Sequence, residues 1–198
     1  MTWTRWAATA LVLTTLAAGA VTISCTATPK PTATAEDAIA RGRRITYTSG
    51  CMDCHTPGTF YGMPDTTRLL SGSELGWVGP WGVTFPRNLT PDSATGIGTW
   101  TEEQIVTAVR EGRRPDGSPL LPPMPWPMYA HLTDEDAHAL AAYLKSIPPV
   151  VHEMPKQQPP GQAPSHPALT FPAPPEWDGR NLPPPPGAPA SGATPSSH

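Results

Sequence analysis

Charged side chains are scarce in this chain of 198 residues, at 15%, aromatics make up 7%, and there are three cysteines. The 13 basic and 16 acidic residues leave a net charge of −3. The sequence therefore lacks the positive surface that neutralises a phosphate backbone, which excludes a nucleic-acid partner. Three cysteines are too few for a disulfide-stapled mini-domain, whose frameworks usually hold four or more. No internal repeat is visible. What the chain has in abundance is 29 Pro and 17 Gly. Each Pro removes a backbone donor and fixes φ, which argues against a large sheet and for a modest ordered unit rich in constrained loops.

Composition also divides the chain. Residues 1–20 read as a secretory signal, with Arg5 near the start, an apolar run from Trp6 to about Val21, and Ala18-Gly19-Ala20 as the small-residue cleavage site. The run up to Ile23 is also long enough to serve as an uncleaved anchor, the competing reading. Cys25 loosely resembles a lipoprotein acylation site but lacks the usual Leu three positions before it. On each reading the chain is exported, to the periplasm, and an uncleaved N-terminus or a lipidated Cys25 would tether it to the membrane. Residues 21–33 form a polar, Pro-bearing linker, and 34–151 the folded domain. The last stretch, 152–198, holds 14 Pro with a run of four at 183–186. It is expected to be a disordered or polyproline II tail, because it has too little apolar surface to offset its ordering entropy.

Three helices are expected to bracket the domain. Thr34 precedes Ala35-Glu36-Asp37 and opens the first. Thr101 with Gln104 forms a capping box, Ile105, Ala108 and Val109 follow at helical spacing, and Gly112 ends the run. Thr133 with acidic residues 134–136 opens the third, which carries Leu140, Tyr143 and Leu144 on one face and stops at Pro148-Pro149. Between the first two lies a Gly-rich stretch from Pro57 to Trp100 without sustained period-2 alternation. Loops this long in a small domain are usually functional or wrapped around something.

Residues 51–55 read Cys-Met-Asp-Cys-His. In C-x-x-C-H two thiols three positions apart lie about one helical turn apart, matching the two vinyl substituents on one side of a haem, while the adjacent imidazole reaches the iron. Cys51, Cys54 and His55 are the candidate cofactor-binding residues, and His55 the candidate metal ligand. A thioredoxin-like redox site would need a βαβ pattern around the cysteines, and none is present. A structural zinc site would need a second ligand pair, and the other histidines, at 131, 138, 152, 166 and 198, form no H-x₃₋₅-H pair. A covalent haem also supplies a large apolar centre for a core too small for its loops.

From Ala38 to Val150 the chain resembles the single-haem class I c-type cytochromes, especially the cytochrome domains associated with bacterial membrane alcohol and aldehyde dehydrogenases. The resemblance rests on ARGRRITYTSGCMDCHTPG, GPWGVTFPRNLTPDSATGIGTW and LLPPMPWPMYAHLTDEDAHALAAYLKSIPPV, in that order. It implies an all-α cytochrome c fold, about three main helices and long loops around one covalent haem c, with the first and last helices crossing beside it. It also implies a sixth ligand from a Pro-flanked Met, which maps to Met124 in Pro122-Pro123-Met124-Pro125-Trp126. A thioether–iron bond is weak, so a loop stiffened by three prolines suits it. Met128, also preceded by Pro, is the competitor. Met52, Met63 and Met154 read as core filler or exposed side chains. Gly42 and Tyr143 match the family's helix-crossing pair, although Arg43 and Arg44 stand where an aromatic is common. Asn88, Thr90, Trp100 and Trp126 match positions near the haem, with turn-fixing the alternative role for Asn88 and Thr90. Arg41, Arg43 and Arg44 form either a docking patch or a solvated helix face.

The expected function is one-electron transfer by Fe(III)/Fe(II) cycling, without enzymatic catalysis. The expected partners are redox proteins: a dehydrogenase, a quinol-linked complex or a terminal oxidase. The dehydrogenase-associated subunits typically carry three haems, whereas this chain has one C-x-x-C-H. Two alternatives stand beside this reading: a haem peroxidase or gas-binding protein with a labile sixth ligand, and a haem-bearing module that docks through its Pro-rich tail.

Overall fold

The computed structural model describes residues 34–172. The signal, anchor and linker readings of 1–33, Cys25, and the tail beyond 172 lie outside the described residues.

The three expected helices form where their caps are. Helix α1, Ala35–Thr48, opens on a reciprocal capping box in which the Thr34 hydroxyl accepts from the Asp37 N–H and the Thr34 N–H donates to the Asp37 carboxylate. The five-residue turn α2 spans Cys51–His55. Helix α3, Glu102–Glu111, starts on the Thr101/Gln104 box and stops at Gly112, whose φ of 66° is left-handed. The turn α4, Trp126–Tyr129, precedes α5, Asp134–Ser146, which Thr133 caps by accepting from the Asp136 N–H. Among the described residues no helix is long and apolar enough to cross a membrane.

Helices α1 and α5 cross at Gly42. A Cβ there would lie 1.9 Å from the Ala139 carbonyl oxygen and 2.8 Å from Tyr143 Cβ, so only glycine permits the contact. Arg41 extends the same interface, donating to Asp136 at 2.7 Å and pairing with Glu135. Of the three arginines read as either a docking patch or a solvated helix face, Arg41 is thus paired within the fold, and Arg43 lies over the Tyr47 ring at 5.5 Å. Leu70, Ile97, Ile105, Leu140, Ala141, Tyr143 and Leu144 make the core. Cys51, Met52 and Trp100 pack on its edge.

A small sheet is added to the helical fold. Strands β1, Gly76–Gly79, and β2, Gly82–Thr84, pair antiparallel with Val78 opposite Val83, and β3, Ala168–Thr170, lies parallel to β1 on its other side. Strands of three or four residues are too short for a period-2 pattern to stand out in the sequence.

The third strand corrects the expectation for the tail. The stretch 152–172, expected to be disordered or polyproline II, is laid along the domain. Met154 is 3% exposed, Gln158 and Val83 exchange backbone hydrogen bonds of 3.0 and 2.9 Å, and Phe171 packs on Trp77 and Trp81. Proline there needs no donor partner; the Gln158 and Phe171 N–H groups bond to the sheet while Met154 and Phe171 supply apolar anchors. Composition alone missed this because average hydrophobicity hides single well-placed side chains.

Gly42→Ala is expected to cost about 3 kcal/mol, the upper end of overpacking, since the clash is with backbone. Thermal unfolding measures it, and a loss within experimental error would contradict the close crossing.

Candidate functional site

Ser49 caps the end of helix α1, and Gly50, at φ 73°, turns the chain into α2. The Asp53 N–H closes the turn on the Gly50 carbonyl at 3.1 Å. This geometry places Cys51 and Cys54 one turn apart with His55 next to Cys54. Both thiols are free and half-buried. Burial pushes the Cys51 thiol up to about 11 and raises that of Cys54, so both are protonated at neutral pH.

The His55 ring is fixed by one bond: its Nδ1 lies 2.7 Å from the Arg87 carbonyl oxygen. A carbonyl can only accept, so Nδ1 carries the proton. Desolvation lowers the His55 pKa, against the opposing pull of that carbonyl. The neutral ring then holds its Nε2 lone pair free for a metal.

The backbone around His55 is clamped by residues 70–72. The Gly72 N–H donates to the His55 carbonyl at 2.8 Å, and the Leu70 N–H to Thr56 Oγ1 at 3.0 Å. Leu70 and Thr56 are each 1% exposed. Leu70 has a φ of 61°, the one non-glycine residue described with positive φ. Such a conformation costs free energy and persists where its surroundings over-determine it. Its carbonyl accepts from the Leu89 N–H at 2.8 Å, which brings the Arg87 segment alongside His55.

The loop carrying Met124 is held from several sides. The Leu120 N–H donates to the Gly112 carbonyl at 2.7 Å and Thr84 Oγ1 to the Pro122 carbonyl at 2.8 Å. The Trp126 ring lies where a Gly112 Cβ would come within 2.5 Å. Just beyond, the Tyr129 hydroxyl donates to the Ser49 carbonyl at 2.7 Å, and burial pushes its pKa up to about 12. This last bond ties the segment after Met124 to the start of the Cys51–His55 turn. Met124 is half-buried, whereas Met128 is 70% exposed. Of the other methionines, Met63 is exposed and Met154 is buried.

Asn88 and Thr90 take the turn-fixing role. Asn88 Oδ1 accepts from the Thr90 N–H and hydroxyl, while its Nδ2 donates to Thr95 Oγ1 and the Val150 carbonyl. The Asn88 amide has no donor to spare. Trp100 packs at the core edge and its carbonyl accepts from Lys145.

The donor set fits a haem of the c type: two unpaired thiols and a neutral imidazole on one turn, and a thioether on a braced loop tied to that turn. No group of three or more His, Cys, Asp or Glu that could hold a metal ion gathers among the described residues, so zinc finds no second ligand pair. Sequence reasoning missed the Arg87 carbonyl and the Leu70–Gly72 clamp, because backbone acceptors leave no residue-type signal.

Compared with known proteins, residues 39–148 match the family model described as Cytochrome c. The fructose dehydrogenase cytochrome subunit of Gluconobacter japonicus is 36% identical over 152 residues, 76% of this chain and 30% of that protein. The cytochrome c subunit of alcohol dehydrogenase (quinone) from Gluconobacter oxydans is 36% identical over 116 residues, 58% of this chain and 23% of that subunit. A diheme cytochrome c-type protein of Cereibacter sphaeroides is 35% identical over 109 residues, 55% of this chain and 36% of its own length. The chain spans about a third or less of the first two relatives.

Thr56→Val keeps the side-chain shape and leaves the buried Leu70 N–H without an acceptor. The expected loss is about 2 kcal/mol, read by denaturant unfolding of the holoprotein. An unchanged midpoint would mean that the clamp does not bear on the stability of the site.

Proposed function

This chain belongs to the cytochrome c family, and on that premise we propose that it is an exported, periplasmic one-electron carrier with a single covalent haem c, linked to a dehydrogenase. When bound, the haem supplies the Fe(III)/Fe(II) couple. The observation that carries the reading is the Cys51–His55 turn, where two free thiols flank an imidazole whose Nδ1–H is committed to Arg87. In this reading Cys51 and Cys54 would hold the haem through thioethers, and His55 Nε2 and Met124 would ligate its iron.

One C-x-x-C-H in the chain gives one haem, although one relative is named diheme. The dehydrogenase partner is supported by the relatives, which are cytochrome subunits of fructose, alcohol and gluconate dehydrogenases. With His55 and Met124 both ligating the iron, the polypeptide would leave no vacant site for substrate, and the role would be electron transfer without catalysis. The braced loop before α4 favours Met124 over the exposed Met128: a ligand held in place beforehand loses less entropy on binding.

The test is carbon monoxide binding by the ferrous protein, with the thioether-to-ferric charge-transfer band as the second readout. The wild type is expected to show the band and to bind carbon monoxide slowly or not at all. Met124→Ala should lose the band and gain rapid binding, while Met128→Ala keeps wild-type behaviour. Ready binding by the wild type would overturn the carrier reading, and loss of the band in Met128→Ala alone would move the sixth ligand.

A further inference from the structure

The segment 152–172 follows residue 148, where the family match ends, and it contacts both residues whose backbone groups hold His55. The first is Gly72, whose N–H bonds the His55 carbonyl. A Cβ on Gly72 would lie 2.6 Å from Met154 Sδ, 2.9 Å from Met154 Cγ and 2.8 Å from the Pro86 carbonyl oxygen. The buried Met154 side chain thus fills the space beside Gly72 and Pro86. The second is Arg87, whose carbonyl takes the His55 Nδ1–H. Its guanidinium donates to the Pro155 carbonyl at 3.1 Å and reaches the Met154 carbonyl at 3.5 Å.

Both ends of the contact are secured. Upstream, His152 Nδ1 lies 3.0 Å from the Ser71 carbonyl and the His152 N–H donates to Thr95 Oγ1 at 3.0 Å. Downstream, Gln158 pairs with Val83 and β3 pairs with β1. Between these fixed points Met154 and Pro155 have little freedom to move away from Gly72 and Arg87.

We propose that 152–172 is a strap whose Met154, packed on Gly72 and Pro86 while its neighbouring carbonyls hold Arg87, is a positioning residue for the axial histidine. Resting on the cytochrome reading above, this assigns to a segment outside the matched family domain a role in the iron's ligand field. The chemistry follows from the Nδ1–H···O bond. A carbonyl held close to Nδ1–H gives the imidazole more anionic character and fixes its rotation about the iron–nitrogen axis. A strap that slackens lets the Arg87 carbonyl drift, weakens that bond and exposes the proton to solvent. Nothing in the strap need touch the haem.

The experiment is proton NMR of the ferrous holoprotein, reading the chemical shift of the His55 Nδ1 proton and its exchange with solvent. Covalent haem in the wild type is verified first, and its absence would overturn the parent reading before any strap variant is compared. Met154→Ala opens a cavity under Gly72, and the Nδ1 proton is expected to exchange about tenfold faster and move upfield, the mark of more frequent local opening. Met154→Leu, which keeps the volume, should restore wild-type values. Thr34→Ala, a cap lesion at the far end of α1 from the site, lowers stability and should leave the proton unmoved. If Met154→Ala fails to load haem, Met154→Val makes the smaller trim and is read in the same way. A Nδ1 proton unchanged in the trimmed variant, or disturbed equally by Thr34→Ala, would overturn the proposal.

Discussion

The Nδ1–H···O bond from His55 to the Arg87 carbonyl, 2.7 Å long across 32 residues of sequence, is the constraint on which the rest of the site depends. It selects the ring's tautomer, sets its rotation and leaves Nε2 as the single free lone pair. A backbone acceptor can do this only if the backbone itself is held. The structure holds it through the Leu70 carbonyl on Leu89, through Asn88 and Thr90 binding the chain after α5, and through the Arg87 side chain reaching Pro155. The loops between α2 and α3 are thus a support for one hydrogen bond.

That support is polar and buried, which is costly unless every group is paired. Thr46, Thr56, Ser71, Asn88 and Thr90 are all buried, and each has a partner. A chain with so much Pro and Gly gains little from a large apolar core. It gains rigidity instead from side chains that bond backbone: Asn88 alone closes its own loop through Thr90 and Thr95 and ties it to Val150. The helices add the second constraint, since α1 and α5 can approach only over Gly42, and their crossing sets where Cys51 begins.

Much of this was legible in the sequence, and the reasons differ by element. The three long helices were readable because Thr34, Thr101 and Thr133 are caps with local, short-range chemistry. The Cys51–His55 turn was readable because C-x-x-C-H puts three side chains on one turn, whereas the bond that fixes the His55 ring comes from 32 residues away. The sheet was not, because β3 comes from a Pro-rich stretch and its pairing with β1 spans about ninety residues. Met154 was assigned to the tail as filler or exposed, and it became a buried anchor through packing on Gly72 and Pro86, which no local pattern encodes. Arg87 was invisible for a different reason: its part is played by its carbonyl, which every residue possesses.

The central claim is that the Cys51–His55 turn holds one covalent haem, and mass measurement of the denatured, exported protein tests it most directly. The account predicts the polypeptide mass plus one haem, with the Cys51→Ala, Cys54→Ala double variant returning to the bare polypeptide. A wild-type chain found at the bare mass, or carrying a second haem, would contradict it.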